Sequence, residues 1–313
     1  MEKLKEKINK YKRRMKASLR FISKHPLTKE NKLSAYYRYL RFHLVQLVNH
    51  KKPMKYNFID DIKFYASMGE AGIVGNIYVG LADFEEMAFL LHFLNSEDLF
   101  VDIGANVGAY TLLGSGICNS KTIAIEPIPS TFKRLEKNIE LNNLSDDKVD
   151  IVNIGIGKEK GYIHFLNSQY SALNRVITDK DPDSLPKIQV MTLPLDGLLM
   201  DYKKPSMIKI DVEGFEFEVI KGASNCLQCK DLKAIIIELN QSGKVYGHND
   251  EEIANLLYEE GFSPYRYEPF SRSLITISGK NNLGFNTIFI RDIDAVYARL
   301  RAAPKRKILS SFI

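Results

Sequence analysis

Apolar residues follow different patterns in the two parts of this chain. In residues 4–22 and again in residues 33–47 they recur every three or four positions. This spacing puts the apolar side chains on one face, so it predicts two amphipathic helices. Pro26 and Pro53 end them, because proline cannot continue a helix. We expect the apolar stripe of each helix to pack on the main domain or on a second copy of the chain.

A lead-in segment follows the two helices. Short apolar stretches on either side of Asp60 and Asp61 predict a β-hairpin. Residues 69–80 contain four glycines, which predicts a loop with special backbone conformations. Residues 85–94 have a composition that favours a helix.

From Leu99 onward, short apolar runs alternate with helical patterns. Five of the runs are LFVDI, KTIAIE, VDIVNI, MIKID and KAIIIEL, and the helical patterns include residues 130–142 and 250–260. Apolar strands without polar alternation, separated by helices, predict a mostly parallel sheet that is covered on both faces. Two more strand-like pieces, GYIHFL and IQVMTL, lie in residues 155–205. The last two strands, FSPYRYE and GFNTIFIRD, have no comparable helix between them, which predicts an antiparallel pair.

Composition bounds the class of protein. With 313 residues, 45% hydrophobic and 26% charged, the chain has the composition of a soluble globular protein. Its longest apolar run, residues 87–94, is far shorter than the roughly 20 residues of a membrane span. The basic start is not followed by the apolar segment of a secretory signal, and three cysteines fit a reducing compartment. We therefore expect a cytoplasmic protein.

Positive charge is concentrated at the N-terminus. Residues 1–55 contain 17 Lys and Arg against three acids, whereas the whole chain carries +6, so the remaining residues carry −8. A basic amphipathic helix contacts anionic lipid, nucleic acid or a partner, or is a solvated helix packed through its stripe. The packed helix is the favoured interpretation. Peripheral membrane contact and self-association through residues 1–55 stay open, and nucleic acid is not expected.

The strongest chemical pattern is LFVDIGANVGAYT. A strand runs into Asp102-x-Gly104-x-Asn106-x-Gly108 and then into a helix. Glycines let the backbone turn sharply and approach a ligand, and a helix start offers free N–H groups. Glu126 ends the next strand, 22 residues after Gly104, where a carboxylate accepts both hydroxyls of a ribose. Together these features predict an adenosine-containing cofactor.

Three details indicate which cofactor binds. The pattern G-x-x-x-x-G-K-[ST] is absent, which argues against ordinary nucleotide hydrolysis. Asn106 stands where a dinucleotide fold needs its second glycine. Asp102 would repel a pyrophosphate but attract the ammonium group of S-adenosylmethionine. This favours S-adenosylmethionine, and ordinary helix caps are the alternative explanation of Asp102 and Glu126.

The sequence MIKIDVEGFEFEVIKGA places two acids at the end of the fourth strand of the sheet. Asp211 ends that strand beside the cleft where open α/β sheets bind ligands, so it is a candidate for catalysis and for cofactor binding. Glu213 either faces the cleft or favours the start of the next helix. Glu216 and Glu218 lie further into the helix and are predicted to be structural.

Other base candidates follow the fifth strand. Glu238 ends that strand at the same edge of the sheet, and His248 lies in the loop beyond it. A carboxylate or imidazole there would accept the proton of an attacking hydroxyl. Asp211, Glu213 and Glu238 are also hard oxygen ligands, but no spacing requires a metal and none is predicted.

The segments DIGANVGAYT, IEP, KIDVEGFEFEVIKGA and IIIEL together resemble the FkbM-type methyltransferases. The resemblance implies the class I methyltransferase fold, a Rossmann-like, doubly wound α/β sheet of seven strands in the order 3-2-1-4-5-7-6 with strand 7 antiparallel. It also implies S-adenosylmethionine as the cofactor. The implied reaction is methyl transfer to a hydroxyl of a saccharide, polysaccharide or polyketide-like acceptor.

The resemblance assigns cofactor roles by position. Glu126 is implied to bind the ribose, and Asn153 and Ile154 are implied to border the adenine. Gly155 departs from the family pattern, in which a small apolar residue is expected. The residues implied to hold the methionine end are Asp102, Gly104, Ala105, Asn106 and Gly108.

The acceptor is expected to contact the segments that cover the cleft, because their residues are polar and aromatic. The residues concerned are Asn76, Tyr78 and Asp83 in the glycine loop, and Tyr170, Ser171 and Asn174 in the insertion NSQYSALNR.

These observations predict a chain in four parts. Residues 1–55 form a basic helical extension, 56–95 a lead-in over the site, 96–291 the cofactor-binding methyltransferase domain, and 292–313 a C-terminal helix and basic tail. Two other functions stay open. One is a nicotinamide-dependent oxidoreductase, and the other is a non-catalytic methyltransferase-like module tethered to a membrane or complex.

Overall fold

The computed structural model describes residues 2–144, 147–166, 175–178, 181–182 and 184–313. The N-terminal part is helical apart from one antiparallel hairpin, and its elements are α1 (Glu2–Lys24), α2 (Lys32–Val48), β1 (Met54–Asn57), β2 (Lys63–Ala66), α3 (Ala71–Val79) and α4 (Phe84–Phe93). The two predicted amphipathic helices, the predicted hairpin and the helix predicted at residues 85–94 are therefore present. None of the described helices is both long and apolar enough to cross a bilayer.

The main domain alternates strands and helices. Its first half contains β3 (Leu99–Ile103), α5 (Ala109–Thr111) with a π-helical continuation (Leu112–Ile117), β4 (Lys121–Ile125), α6 (Pro129–Leu141), β5 (Val149–Val152), β6 (Gly155–Ile156), β7 (Gly161–Leu166) and β8 (Lys187–Leu193). Its second half contains α7 (Leu195–Leu198), β9 (Met207–Ile210), α8 (Glu216–Lys221), α9 (Ser224–Gln228), β10 (Ala234–Glu238), α10 (Asp250–Glu259), β11 (Ser263–Glu268), β12 (Ser273–Thr276) and β13 (Asn286–Ile290). The chain ends with α11 (Ile293–Ala302) and the hairpin β14 (Lys307–Ile308) and β15 (Ser311–Phe312).

Eight strands form the central sheet in the order β12-β11-β13-β10-β9-β3-β4-β5. The five strands from β10 to β5 are parallel, whereas β13 pairs antiparallel with both β10 and β11. Numbered along the chain without the edge strand β12, this is the order 3-2-1-4-5-7-6 with strand 7 antiparallel. The predicted topology and the predicted antiparallel pair are confirmed.

Both faces of the sheet are buried. Along β10, Ala234 and Ile236 belong to one core, while Ile235 and Ile237 belong to the other. Successive strand residues point to opposite faces, so an apolar run without alternation buries both of them. Residues of α1 to α4 and α11 cover the first face, and residues of α7 to α10 cover the second. A ligand must therefore bind at the ends of the strands.

The glycine-rich segment differs from its prediction as a loop. Residues 71–79 form α3, and Gly72 and Gly75 lie inside this helix. A Cβ on Gly75 would lie 2.9 Å from the Cβ of Ala82, so the glycine permits close packing of the next turn. Burial of Ile73 and Val79 offsets the low helix propensity of glycine.

The apolar stripe of α2 does not pack on the main domain, so that part of the expectation is wrong for this helix, whereas packing on a second copy of the chain stays a prediction. The buried residues of α2 are Ala35, Tyr39, Phe42 and Gln46, on the opposite face. Tyr39 and Phe42 fill the space beside Tyr78, with ring centroids 5.1 and 5.8 Å away. The stripe residues Leu33, Tyr37, Leu40, Leu44 and Leu47 are exposed. In α1, by contrast, the stripe residues Leu19 and Ile22 do contact the core.

A second, three-stranded sheet lies in the predicted insertion. The pieces GYIHFL and IQVMTL form the antiparallel pair β7 and β8, and β6 lies parallel beside β8. Phe165 of β7 reaches the edge of the main domain. Tyr170, Ser171 and Asn174, which we expected to face the acceptor, lie outside the described residues.

Candidate active site

A cleft lies at the carboxyl ends of β3, β4, β9 and β10, where open α/β sheets bind their ligands. It contains about 900 Å³ of empty space that is continuous with solvent. The predicted site residues that line it are Gly104, Asn106, Glu126, Ile154, Asp211, Glu213 and Glu238. The predicted site residues outside its lining are Asp102, Ala105, Gly108, Asn153 and His248.

The turn after β3 forms the floor of the cleft. Gly104 has a φ of +77°, and a Cβ there would lie 1.8 Å from the main-chain oxygen of Asp211, so only glycine fits. Asn106 has a φ of +52°, and its main-chain N–H donates to Oε2 of Glu126 over 3.0 Å. The side-chain Oδ1 of Asn106 is buried and has no partner among the described residues. This oxygen is available to accept a hydrogen bond from a ligand.

Glu126 ends the second strand of the parallel sheet and is buried. Its Oε1 accepts a hydrogen bond from the main-chain N–H of Ile128 over 2.9 Å, and its Oε2 accepts the one from Asn106. A carboxylate offers about four acceptor positions, so about two remain for a ligand. Burial raises the pKa of Glu126 to about 7, against the opposing effect of the two N–H donors.

Asn153 and Ile154 follow β5 and lie beside Glu126. The Nδ2 of Asn153 donates to the main-chain oxygens of Glu126 and Pro127 over 2.8 and 3.1 Å. Asn153 therefore holds the turn in place and does not line the cleft. Ile154 does line it, and so does Gly155, the residue that departs from the family pattern.

Asp102 is buried and is not part of the lining of the cleft, and its role at the methionine end of the cofactor stays a prediction. Its neighbours in the strand, Val101 and Ile103, point to one face of the sheet, so Asp102 points to the other. Its Oδ2 accepts a hydrogen bond from the hydroxyl of Thr111 over 2.7 Å. Its Oδ1 is buried without a partner in the described part of the chain. Burial raises the pKa of Asp102, although Lys209 opposes the shift.

A buried lysine lies beside Asp102. Lys209 of β9 is opposite Asp102 in the sheet, and its Nζ lies 2.9 Å from Oδ2 of Asp211. It also lies 4.8 Å from the centroid of the Tyr110 ring, whose hydroxyl donates to Oδ2 of Asp83 over 3.1 Å. Burial alone would lower the pKa of Lys209, but the carboxylates of Asp211, Asp102 and Asp83 raise it. Lys209 is therefore a buried cation that holds Asp211.

No prediction from the sequence included Lys209. The available signal was a lysine inside the apolar strand MIKI, because a buried lysine almost always has a charged partner. The predictions also omitted Phe165 and Phe215, which line the cleft from β7 and from the turn before α8. No sequence spacing connects these two aromatic residues, since they come from different parts of the fold.

Glu213 lines the cleft from the turn between β9 and α8. Its φ of +55° is unusual for a residue other than glycine, and strained backbone is frequent at functional sites. The predicted structural residue Glu216 holds this turn, because its Oε1 accepts hydrogen bonds from the N–H groups of Val212 and Gly214. Burial raises the pKa of Glu213 to about 7, and the carboxylates of Asp211 and Glu216 add to the shift.

Glu238 completes the acidic rim of the cleft. Its Oε2 is buried, with no hydrogen-bond partner in the described ranges. Burial raises the pKa of Glu238 to about 9, and the carboxylates of Asp211 and Glu213 contribute to the shift. Burial therefore favours the protonated form of Glu238, and a protonated carboxyl donates a hydrogen bond.

His248 is held away from the cleft, so its position does not support the predicted role as a base. Its ring stacks on Phe217, with centroids 3.7 Å apart. Its ring nitrogens lie 3.5 and 3.4 Å from the carboxylates of Glu218 and Glu252. A 3₁₀ turn at residues 242–246 carries the loop over α8 and α10, which explains this placement.

The residues expected to contact an acceptor are separated in the structure. Tyr78 faces α2, where its hydroxyl lies 3.3 Å from Nε2 of His43. Asn76 is buried and accepts a hydrogen bond from a main-chain N–H of the following turn. Of these three residues, Asp83 is connected to the polar residues around Lys209, because it accepts a hydrogen bond from the Tyr110 hydroxyl.

The lining of the cleft is acidic. Glu126, Asp211, Glu213 and Glu238 are part of it, and none of the described lining residues is Lys, Arg or His. The described ranges also contain no group of three His, Cys, Asp or Glu residues arranged to hold a metal ion.

The strand order and the cleft at the strand ends are those of the Rossmann-like class I methyltransferase fold. The family model described as the methyltransferase FkbM domain matches residues 102–264, which is just over half of the chain. The protein therefore belongs to the FkbM methyltransferase family and is a methyltransferase.

Two curated relatives are similar to this chain. Hexuronic acid methyltransferase AglP from Haloferax volcanii is 29% identical over 180 residues, which cover 56% of this chain and 67% of that protein. Methyltransferase 1 from Beauveria bassiana is 25% identical over 147 residues, which cover 40% of this chain and 58% of that protein.

Solved structures show weaker similarity. The precorrin-6y C5,15-methyltransferase from Geobacter metallireducens has a TM-score of 0.37 and 11% identity, and the match covers 66% of this chain and 84% of that one. An rRNA methylase from Streptococcus thermophilus has a TM-score of 0.36 and 13% identity, and covers 66% and 93%. The fold assignment therefore rests on the strand order and the family match.

Proposed function

We propose that this protein is an S-adenosylmethionine-dependent O-methyltransferase that acts on a hydroxyl of a saccharide-like acceptor. The observation that carries the proposal is the arrangement of the cleft. One side carries the glycine turn and Glu126, and the rim carries Asp211, Glu213 and Glu238. The first side suits an adenosyl cofactor, and the rim supplies groups that orient and deprotonate a hydroxyl.

The residues of the cleft fit the proposed cofactor. When bound, S-adenosylmethionine supplies an electrophilic methyl group on a sulfonium. Glu126 retains about two acceptor positions, which suit the two ribose hydroxyls. The buried Oδ1 of Asn106, which lacks a partner among the described residues, suits the ammonium group. Ile128 and Ile154 offer apolar surface for the adenine, and Asp102 adds negative charge from beneath.

The three rim acids have different proposed roles. Glu213 is the general base, because a pKa of about 7 allows it to take the proton of the acceptor hydroxyl at neutral pH. Asp211 orients that hydroxyl with the carboxylate oxygen that Lys209 does not hold. Glu238, in its protonated form, donates a hydrogen bond to a second oxygen of the acceptor. Positioning by these groups lowers the entropic part of the barrier.

The acceptor is proposed to be neutral and rich in hydroxyl groups. The relative from Haloferax volcanii is named as a methyltransferase of hexuronic acid, which supports a saccharide. In this chain the described lining carries four acids and no basic residue. Carboxylates accept hydrogen bonds from sugar hydroxyls, whereas Glu213 in its ionised form would repel the carboxylate of an acidic sugar. A neutral sugar therefore fits this cleft better than a uronic acid.

Labelled methyl transfer tests the proposed reaction. The purified protein is incubated with S-adenosylmethionine that carries a labelled methyl group and with a fractionated cell extract. We expect label in a neutral saccharide or another hydroxylated fraction. Label found only in nucleic acid, protein or acidic sugars, or in no fraction, would contradict the proposed acceptor.

Calorimetric titration tests the cofactor site separately. We expect S-adenosylhomocysteine to bind and NAD not to bind. Glu126→Ala should raise the dissociation constant about tenfold or more, because hydrogen bonds to a charged group contribute about 1.5–3 kcal/mol. Glu159→Ala is the control, since this exposed acid lies on a turn outside the cleft lining. Equal dissociation constants for Glu126→Ala and the unaltered protein would remove the ribose assignment.

A further inference from the structure

The exposed face of α2 forms a continuous apolar surface, here called the α2 stripe. Its members are Leu33, Tyr37, Leu40, Leu44 and Leu47, with exposed fractions of 82, 64, 57, 63 and 61%. Their spacing of four and three residues places them side by side on the helix. Single exposed apolar residues are common on proteins, but a contiguous patch marks an interaction site.

The rest of α2 is fixed to the domain, so the α2 stripe cannot turn inward. The guanidinium of Arg38 donates from Nε to the main-chain oxygen of Tyr78 over 2.9 Å. The Oε1 of Gln46 accepts a hydrogen bond from the N–H of Met68 over 3.0 Å. Together with the buried Tyr39 and Phe42, these contacts keep the opposite face of α2 against the domain.

Positive charge flanks the α2 stripe. Lys32 and Arg41 are exposed on α2 at either side of it, and α2 contains no Asp or Glu. The neighbouring helix α1 adds exposed cations, which are Lys12, Arg13, Arg14, Lys16, Arg20 and Lys24. Since residues 1–55 are strongly basic and the remaining residues carry −8, the charge of the molecule is polarised towards this end.

We propose that the α2 stripe docks on an anionic lipid bilayer. An apolar helical face flanked by cations inserts its side chains among the acyl chains, while the cations contact anionic headgroups. Charge complementarity favours this occupant over a second copy of the chain. A two-fold contact centred on Leu40 would bring Arg41 of each copy close to the other, with no acid on α2 to compensate.

Docking in this way would also fix the position of the cleft relative to the membrane surface. α2 packs against α3, and Gly72 at the start of α3 lines the cleft. The helix of 17 residues is about 25 Å long and would lie in the plane of the interface. The negatively charged remainder would be repelled from the anionic surface, so the molecule would bind in one orientation.

Vesicle flotation with the full-length protein tests the proposal. We expect binding to vesicles of phosphatidylcholine with 30% phosphatidylglycerol, weak binding to phosphatidylcholine alone, and loss of most binding in 0.5 M NaCl. The double variant Leu40→Asp, Leu44→Asp should bind at least about tenfold more weakly, because it puts charge into the inserted face. Leu283→Asp is the control, since Leu283 is 77% exposed but lies outside residues 1–55, and it should bind like the unaltered protein.

A second variant and a second measurement separate the alternatives. Arg41→Glu keeps the α2 stripe but reverses a flanking charge, and it should weaken binding to anionic vesicles severalfold. Circular dichroism should show that all variants remain folded, because the changed residues are exposed. The proposal is overturned if the unaltered protein ignores anionic vesicles or if the double variant binds them equally well. It is also overturned if light scattering shows a dimer that the double variant converts to a monomer.

Discussion

At the scale of single residues, Lys209 holds the acids of the site together. It is buried, and its Nζ lies 2.9 Å from the Asp211 carboxylate. Asp102 and Asp83 also act on it electrostatically. Without this ammonium group, several buried carboxylates would lack a compensating charge.

Replacement of Lys209 should therefore be severe. We expect Lys209→Met to lower the free energy of unfolding by about 3–5 kcal/mol in chemical denaturation, as for other broken buried pairs. The control is Lys233→Met, which removes a more exposed pair with Asp292 at 2.7 Å. That change should cost less than about 1 kcal/mol. Equal effects of the two substitutions would show that Lys209 does not hold the acids of the site.

The pKa of Glu213 predicts how the reaction depends on pH. Since burial raises this pKa to about 7 and a base must be ionised, kcat should rise about tenfold per pH unit below pH 7 and level off above it. Glu213→Gln should lower kcat about 10²-fold and remove this rise. Glu218→Gln, at an acid that contacts His248 outside the cleft, should keep the profile. An unaltered profile in Glu213→Gln would move the role of base to Asp211.

The positions of three predicted site residues agree with the structure because they depend on the strand ends, while their roles stay predictions. Glu126, Asp211 and Glu238 end parallel strands, and the carboxyl ends of such strands meet at one edge of the sheet. His248 lies in a loop, and the path of a loop is decided by its contacts with other elements. The structure places its ring on Phe217, which no local pattern in the sequence indicates.

At the scale of elements, the turn after β3 joins the side of the cleft that carries Glu126 to the side that carries Asp211. Gly104 lies against the main-chain oxygen of Asp211, so two adjacent strands approach each other more closely there than a side chain would permit. The position of Asp211 therefore depends on a glycine 107 residues earlier in the chain.

Gly104→Ala should damage both stability and binding. We expect a loss of at least about 2 kcal/mol, from the left-handed backbone and from the displacement of β9. Gly279→Ala isolates the first effect, because Gly279 has a similar φ of +71° but no atom within 4 Å of the position that a Cβ would take. It should cost only about 1–2 kcal/mol and leave the affinity for S-adenosylhomocysteine unchanged. Similar results for both variants in denaturation and calorimetry would refute the importance of the close approach.

Elements were predicted reliably where periodicity and strand composition agree. The apolar runs became strands, and the helices at residues 84–93 and 250–259 lie within one residue of their predicted bounds. The glycine-rich segment became α3, because tertiary packing against Ala82 uses the missing side chain. In α2 the apolar stripe is real, but the opposite face makes the contact, since its aromatic rings fit the space beside Tyr78.

At the scale of the whole molecule, several buried acids have pKa values above those of ordinary carboxylic acids. Burial is the largest cause of each rise. The pKa is about 8 for Glu86, about 7 for Glu126, Glu213 and Glu216, and about 9 for Glu238. In the unfolded chain their pKa is near 4.5. Above pH 4.5 these five acids therefore bind more protons in the folded protein than in the unfolded chain.

The stability of the protein should consequently fall as pH rises. The contribution of these acids is fully present below pH 4.5 and is lost as pH rises towards 9, by up to about 1.4 kcal/mol per pH unit for each group. We expect the melting temperature to be lower at pH 9 than at pH 6. Glu238→Gln should reduce this difference, because its side chain stays neutral. A melting temperature that rises between pH 6 and pH 9, or a difference that Glu238→Gln leaves intact, would contradict the protonated state of Glu238.

The sequence by itself determined the strands, the glycine turn and the acids at the strand ends, whereas the resemblance to a family implied the order of the strands in the sheet. These features follow from local periodicity and from the geometry that all parallel sheets share. Only the tertiary structure decided which acids reach the cleft, that Lys209 compensates them, and which face of α2 is left exposed. The physical reason is that burial and charge pairing depend on neighbours that are distant in the chain, and no local spacing records them.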